Sequence, residues 1–368
     1  MINFGKILKR SWHNLWNYRM LWVFGFLLAV TGAGGGSSGN AGSGSSYQFR
    51  NSVSNGSNPN FQPGPFLRSL SDWFNQHVIP LIEQPDQHVA GFIWIGIAVL
   101  FFILVVGLIA ALIRYPSEAA VIRMVDEYEQ TGTKTGFKQG WKLGWNRRAF
   151  RIWVIDLVIG LPVFLFILLL LGLGLVFILS ATGGNSALAV GATITTIACG
   201  FLFILVLAVF LVFFSLLRHF FVRAAALEGT GIGESFRRGW AVFKGNWKSA
   251  ALMWLVMIGI GIGYGIIGLV LFFLLIPAYI VLFLPAVLIA AVPGLITGGV
   301  AALFGAGWVA WIVGGVVFLP VFLSILFVPL TVINGGYIIY SSSVWTLTYR
   351  EIKALEEAKP VEIPADPS

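Results

Sequence analysis

The chain has 368 residues, 58% of them hydrophobic and 10% charged, with mean hydropathy +0.88. A soluble domain carries about 25% charged residues, and apolar runs longer than about 18 residues recur here, so the class is a polytopic α-helical membrane protein; a β-barrel, whose strands alternate with a period of two, is excluded. The net charge of +8 would suggest nucleic acid in a soluble protein, but basic residues beside membrane spans orient the chain and meet lipid heads, which leaves membrane lipids, anionic ones included, as the partner and nucleic acid as none.

Residues 1–19 hold Lys6, Lys9, Arg10 and Arg19 and no acid. Leu8, Trp12 and Trp16 fall at i, i+4 and i+8, one stripe of a short helix at a membrane surface. The apolar run Met20 to Ala33 follows as span one. A cleaved signal peptide has the same layout, but the same surface helix precedes two internal spans, which argues for a retained span. Residues 34–88 form an outer loop: 34–63 is rich in Gly, Ser and Asn and reads as flexible, and Pro65 to Leu81 reads as an amphipathic helix. The triplet Asn55-Gly56-Ser57 fits a glycosylation acceptor but is commonplace in such a loop.

Gly91 to Ile113 is span two, leading into a polar helix that ends at Gly132. The surface motif returns as Phe137-Lys138-Gln139-Gly140-Trp141, followed by Lys142, Trp145 and Asn146. Span three runs from Arg147 to about Leu179, and span four from about Val190 to Leu217. Phe236-Arg237-Arg238-Gly239-Trp240 then repeats the motif, followed by Lys244, Asn246 and Trp247. Glu129, Gly132 and Phe137 match Glu228, Gly231 and Phe236 without a gap. Gly132 and Gly231 suit left-handed helix exits, and Asn17, Asn146 and Asn246 are placed to cap the next helix. Span five is Ala250 to about Leu275. Pro277 to Gly307 reads as a re-entrant or outer-surface insertion, span six lies within Trp308 to Trp345, and residues 353–368 read as a disordered tail.

The expected fold is therefore all-α, with six transmembrane helices from three parallel two-helix repeats (4–132, 133–231 and 232–352), each led by an interfacial amphipathic helix. Of the 23 Lys and Arg residues, 21 fall on one side, and the positive-inside rule places both termini in the cytoplasm. Units of two spans each run parallel and imply an axis along the membrane normal.

The surface helices offer Trp12, Trp16, Lys138, Trp141, Lys142, Trp145, Arg237, Trp240, Lys244 and Trp247 for interfacial lipid contact. Indoles settle at the interface and cations reach phosphates; the same residues also serve as plain anchors that set the angle of the spans. Phe137, Trp141 and Trp145 are expected to form the buried stripe of the second surface helix. Asp156 is the one acid within an apolar run, which marks a transport or proton-handling candidate. It also lies five residues beyond Arg151, within reach of structural pairing. Arg218 and His219 sit at the inner end of span four. Asn334, Tyr337 and Ser341 share one face of the last span, either for close helix packing or to line a polar cavity. No paired intramembrane carboxylates, His-Glu-x-x-His run or Ser/His/Asp set appears, so no catalytic residue, metal or cofactor is expected. The lone Cys199 can form neither an intramolecular disulfide nor a cysteine metal cluster.

The motifs Phe137 to Trp141 with Asn146, Leu227 to Gly231, and Phe236 to Trp240 with Asn246 resemble a group of bacterial membrane proteins. That group includes the membrane domain found ahead of some glycerophosphoryl diester phosphodiesterases. The resemblance covers residues 4–352 and implies a bacterial cytoplasmic-membrane protein connected with lipids or envelope upkeep. The chain has no room for the phosphodiesterase domain, so that activity is not implied. The expected function is a non-enzymatic membrane protein that accommodates lipid or scaffolds partners; the alternative is a transporter or channel for a small or lipid-like solute.

Overall fold

The computed structural model describes residues 2–32, 89–182, 186–304 and 307–357. The Gly/Ser/Asn-rich stretch, the expected helix at 65–81, the Asn55 triplet and the tail beyond residue 357 lie outside them. The regular structure of the described residues is all helical. In chain order the helices are α1 (Phe4–Asn17), α2 (Met20–Val30), α3 (Val89–Thr131), α4 (Phe137–Gly144), α5 (Arg147–Thr182), α6 (Ser186–Arg223), α7 (Ile232–Gly245), α8 (Trp247–Leu274), α9 (Ile276–Phe304), α10 (Gly307–Leu326) and α11 (Val328–Glu357). Five of them are long and apolar enough to cross a membrane. There are six if α10 and α11, bent by 67° at Phe327, form one broken span. The protein is a multi-pass membrane protein.

Several expectations are corrected. α2 has 11 residues, about 16 Å of helix against a hydrocarbon core of about 30 Å. It stops because Thr31 Oγ1 turns back onto the carbonyl of Leu27 at 2.8 Å and Gly32 takes a left-handed φ of 75°. Span two and the polar helix after it are one 43-residue helix that carries Pro116 inside it. Residues 277–307, expected as a re-entrant or outer-surface insertion, include most of a 29-residue helix that retains Pro285 and Pro293 and is long and apolar enough to cross a membrane. The tail begins later than residue 353: Lys353 to Glu357 continue α11, held by Ile352, which is fully buried, and by a Lys353 Nζ–Glu228 Oε1 pair at 3.1 Å. The left-handed exit of α6 is Gly229 (φ 66°), not Gly231 (φ −59°), because the last turn widens into a π-turn over Ala224–Glu228. Gly132 does take the left-handed conformation (φ 71°).

The capping asparagines do otherwise than expected. The Asn17 amide contacts the His13 ring at 2.8 Å, Asn146 Oδ1 accepts only from the next backbone N–H at 2.6 Å, and Asn246 Nδ2 is buried without a partner. Asn3 is the cap that forms, accepting from Lys6 N at 3.0 Å.

The chain divides into two compact units, Met1–Ala41 with Ala110–Phe272 and Leu330–Ser368, and Gly42–Ile109 with Phe273–Pro329. In the second, α9 and α10 pack as an antiparallel hairpin. Phe283 meets Phe322 and Tyr279 meets Phe327, each with ring centroids 5.6 Å apart. The helices approach through glycine, since a Cβ on Gly298 would lie 2.8 Å from the Ala310 carbonyl oxygen.

In the first unit the polar ends of α3, α6 and α11 pack together. Tyr349 of α11 donates to Glu228 Oε1 at 2.7 Å, and Arg350 reaches Asp126 of α3 at 2.9 Å. The three short helices lie against these ends. α4 sets Gly140 against Met124 of α3, and Gly144 against the Pro116 carbonyl, where no Cβ fits. α7 sets Gly239 against Phe221 of α6, where a Cβ would lie 2.6 Å from the ring. α1 joins Ile2 and Ile7 to the apolar cluster that holds Trp345, Tyr349 and Ile352 of α11, with Ser11 fully buried. Arg10 of α1 pairs with Glu129, and Arg238 of α7 with Glu228 at 3.4 Å and Glu356 at 3.5 Å. α2 crosses α11 at Gly25 and Gly335, where a Cβ on Gly335 would lie 2.8 Å from the Gly25 carbonyl carbon. Between α1 and α2 the buried Tyr18 hydroxyl bonds Thr135; burial pushes that hydroxyl above its ordinary range, so it stays protonated.

Candidate functional site

The sides of α5 and α6 that face each other carry the chemistry. These helices have 36 and 38 residues, about 55 Å each, well beyond the hydrocarbon thickness. Their polar ends are tied by arginine. Arg148 Nη1 donates to the Ala226 carbonyl at 2.8 Å and Arg151 Nη1 to the Thr230 carbonyl at 2.9 Å. Cations suit these carbonyls, which the end of α6 leaves unpaired. Arg151 is thereby engaged with α6 and is not the partner of Asp156.

One helical turn further in, three helices meet at Arg218 of α6. Its Nε and Nη2 donate to the two Asp156 oxygens at 2.6 and 2.8 Å. Its Nη1 and Nη2 donate to the two Glu118 oxygens of α3 at 3.0 Å each. The guanidinium thus forks against two carboxylates, the geometry that makes arginine the strong partner. The side chains of Arg218, Glu118 and Asp156 are 8%, 12% and 14% exposed. Arg114 Nη2 approaches Asp156 Oδ2 at 3.7 Å, and its Nε is buried without a partner.

Next to this fork lies Arg223, itself 4% exposed. Its Nη1 donates to the His219 carbonyl at 3.1 Å and contacts His219 Nδ1 at 3.2 Å, its Nη2 reaches the Ser342 carbonyl at 3.4 Å, and its Nε has no partner. The His219 ring stacks on Trp345 of α11, centroids 4.3 Å apart and 10° from parallel. Leu28, Glu118, His219, Arg223, Ile338, Ser341 and Ser342 line a pocket here; part of its ≈ 340 Å³ of empty volume is open to the surroundings.

The structure therefore brings together Asp156, Arg218, His219 and Ser341 of the residues singled out from sequence, and leaves Asn334 and Tyr337 apart. Tyr337 stacks on Tyr264 of α8 with centroids 4.2 Å apart, and the Tyr264 hydroxyl points at Asn334 Oδ1 at 3.5 Å. That end of the α11 face is helix packing. Glu118, Arg114 and Arg223 were missed. Their signal is the Arg114/Glu118 pair at i, i+4, which puts both side chains on one side of α3.

Of the interfacial candidates, Trp12, Trp16, Trp145, Trp240 and Trp247 are each more than 40% exposed, and Lys138, Lys142, Arg237 and Lys244 are exposed. Trp141 is half-buried, stacked between Phe137 and Trp145. The buried side of α4 is its glycines, Gly140 and Gly144, and not the Phe137/Trp141/Trp145 stripe: the helix lies too close to α3 for a larger residue.

Chemically, the site is a charge clamp. Both carboxylates are held by Arg218, so neither is placed as a free base. Among the described residues no group of three or more His, Cys, Asp or Glu is placed to hold a metal ion.

No curated protein and no solved structure matches the chain. The model of a family of unknown function, DUF7544, matches residues 13–343, and the chain belongs to that family.

Proposed function

We propose that the protein is a non-catalytic membrane scaffold that accommodates lipid along its spans, built from three parallel two-helix units, each led by an interfacial helix. One observation carries the reading: the charges are gathered at the polar ends of the helices, both carboxylates of the clamp held by Arg218, while the spans above them keep their apolar side chains outward. On α5 and α6, Leu161, Phe164, Leu165, Phe201, Leu202 and Val209 are each more than 50% exposed. Such surface is stable only against hydrocarbon. A water-filled transport path would instead need polar side chains along the spans and a carboxylate able to change partners, whereas Asp156 is gripped by two nitrogens of Arg218.

The unit structure is supported by the way α4 and α7 lay Gly140 and Gly239 against α3 and α6, while α1 brings Ile7 to the cluster at the polar end of α11. Both termini are assigned to one side, the cytoplasmic one, by the charge rule alone, since 21 of the 23 Lys and Arg residues fall in the segments read as inner. The membrane is the bacterial cytoplasmic membrane, as the motif resemblance suggests.

Native mass spectrometry of protein extracted gently from its own membrane tests this. One lipid class retained at fixed stoichiometry against added detergent is expected. Bare protein, or a nonspecific ladder of lipids, refutes the lipid role.

A further inference from the structure

The charges gathered around Arg218 do not balance. Three guanidinium groups (Arg114, Arg218 and Arg223) face two carboxylates (Glu118 and Asp156). The excess positive charge resides at Arg223. Among the described residues no carboxylate pairs with it within 4.0 Å. Its bonds go to neutral acceptors, and its Nε makes none. An unneutralised buried charge is costly, and a counter-ion relieves the cost. Arginine is also the side chain best suited to oxyanions, which it meets with parallel N–H donors.

The pocket sits where that counter-ion belongs. Arg223 and His219 of α6 line it together with Ser341 and Ser342 of α11. Leu28 and Ile338 close the apolar side. Glu118 also lines it, but both of its oxygens are occupied by Arg218.

We propose that this pocket binds a singly charged oxyanion, the phosphate or carboxylate group of a small ligand or of a lipid head, with Arg223 as its cation and the two serines as further donors. The site goes beyond the scaffold reading and does not depend on it: a free anion would occupy it whether or not lipid fills the spans.

The test is thermal unfolding of purified, delipidated protein in a neutral detergent. Inorganic phosphate is titrated against chloride at equal ionic strength. Phosphatidylglycerol is titrated against the uncharged lipid diacylglycerol. A bound anion at a hundredfold excess over Kd raises Tm by about 5 °C. A rise with phosphate identifies a free oxyanion, and a rise with phosphatidylglycerol alone identifies a lipid head. In either case Arg223→Gln abolishes the rise, and Ser341→Val, which narrows the pocket and keeps the charge, reduces it at least tenfold in apparent affinity. Without anion, Arg223→Gln unfolds at or above the wild-type temperature, because the excess charge has gone. The proposal is overturned if neither anion stabilises the wild type more than its control, or if both variants respond as the wild type does. Lipid retention without an Arg223-dependent shift keeps the scaffold and removes the site; a phosphate shift in a protein that retains no lipid does the reverse.

Discussion

Replacing Arg218 with glutamine is the sharpest perturbation of the clamp. The substitution removes four hydrogen bonds of 2.6 to 3.0 Å and strands two carboxylates that are 12% and 14% exposed. Removing one partner of a buried ion pair costs about 3–5 kcal/mol. Here Arg114 stays near Asp156 at 3.7 Å and shields part of the loss, so about 4 kcal/mol is expected. At about 2–3 °C per kcal/mol for a chain of this size, Tm falls by about 10 °C. Unfolding in detergent is read by tryptophan fluorescence at one fixed scan rate, because irreversibility makes Tm rate-dependent. The control is the triple variant Glu118→Gln, Asp156→Asn, Arg218→Met. It removes the whole clamp and recovers most of the loss, since uncharged replacements of a buried ion pair are often neutral. A single variant within 2 °C of wild type, or a triple variant no better than the single, refutes the reasoning.

Asp156→Asn leaves Arg218 its Glu118 partner and costs less, about 2 kcal/mol, seen as a smaller Tm shift in the same assay. Gly239→Ala places a Cβ 2.6 Å from the Phe221 ring and 3.0 Å from its backbone nitrogen; a loss of about 1–3 kcal/mol is expected, while Gly233→Ala, with nothing within 4 Å, is neutral in parallel scans. Tyr18→Phe removes the acceptor of the Thr135 backbone N–H at 2.7 Å and costs about 1–2 kcal/mol, and hydrogen exchange at Thr135 speeds up with it. For topology, a cysteine introduced at Lys353 in a Cys199→Ala background is labelled from the cytoplasmic side of inverted vesicles; labelling from intact cells instead would sink the shared-side assignment.

Membrane class and helix content were legible because long apolar runs admit few alternatives. The limits of that reading are equally physical. Pro116, Pro285 and Pro293 suggest breaks, yet each lies inside a helix, because neighbouring structure can absorb the single hydrogen bond that proline removes. Asp156 was found from sequence as a charge in an apolar run, but its partner was not. Arg151 is nearer in sequence, and Arg218 is nearer in space only once α5 and α6 pair. Arg223 gave no sign of its lack of a carboxylate, which depends on what three other helices bring to it. The surface helices were recognised by their tryptophans, whereas the residues that fix them to the protein are the glycines between.

Pro162 lies inside α5, six residues beyond Asp156, and takes away the hydrogen bond that the Val158 carbonyl would otherwise accept. Below it α5 is riveted to α6 and the turn after it through Asp156, Arg148 and Arg151; from Val163 to Gly172 the side chains are exposed or half-buried. A hinge is thereby set at the edge of a rigid base. From Pro162 to Thr182 the helix runs about 30 Å, so a swing of about 10° moves its far end by about 5 Å, the pitch of one helical turn. The upper arm can follow the thickness and tilt of the bilayer while the guanidinium fork below stays shut.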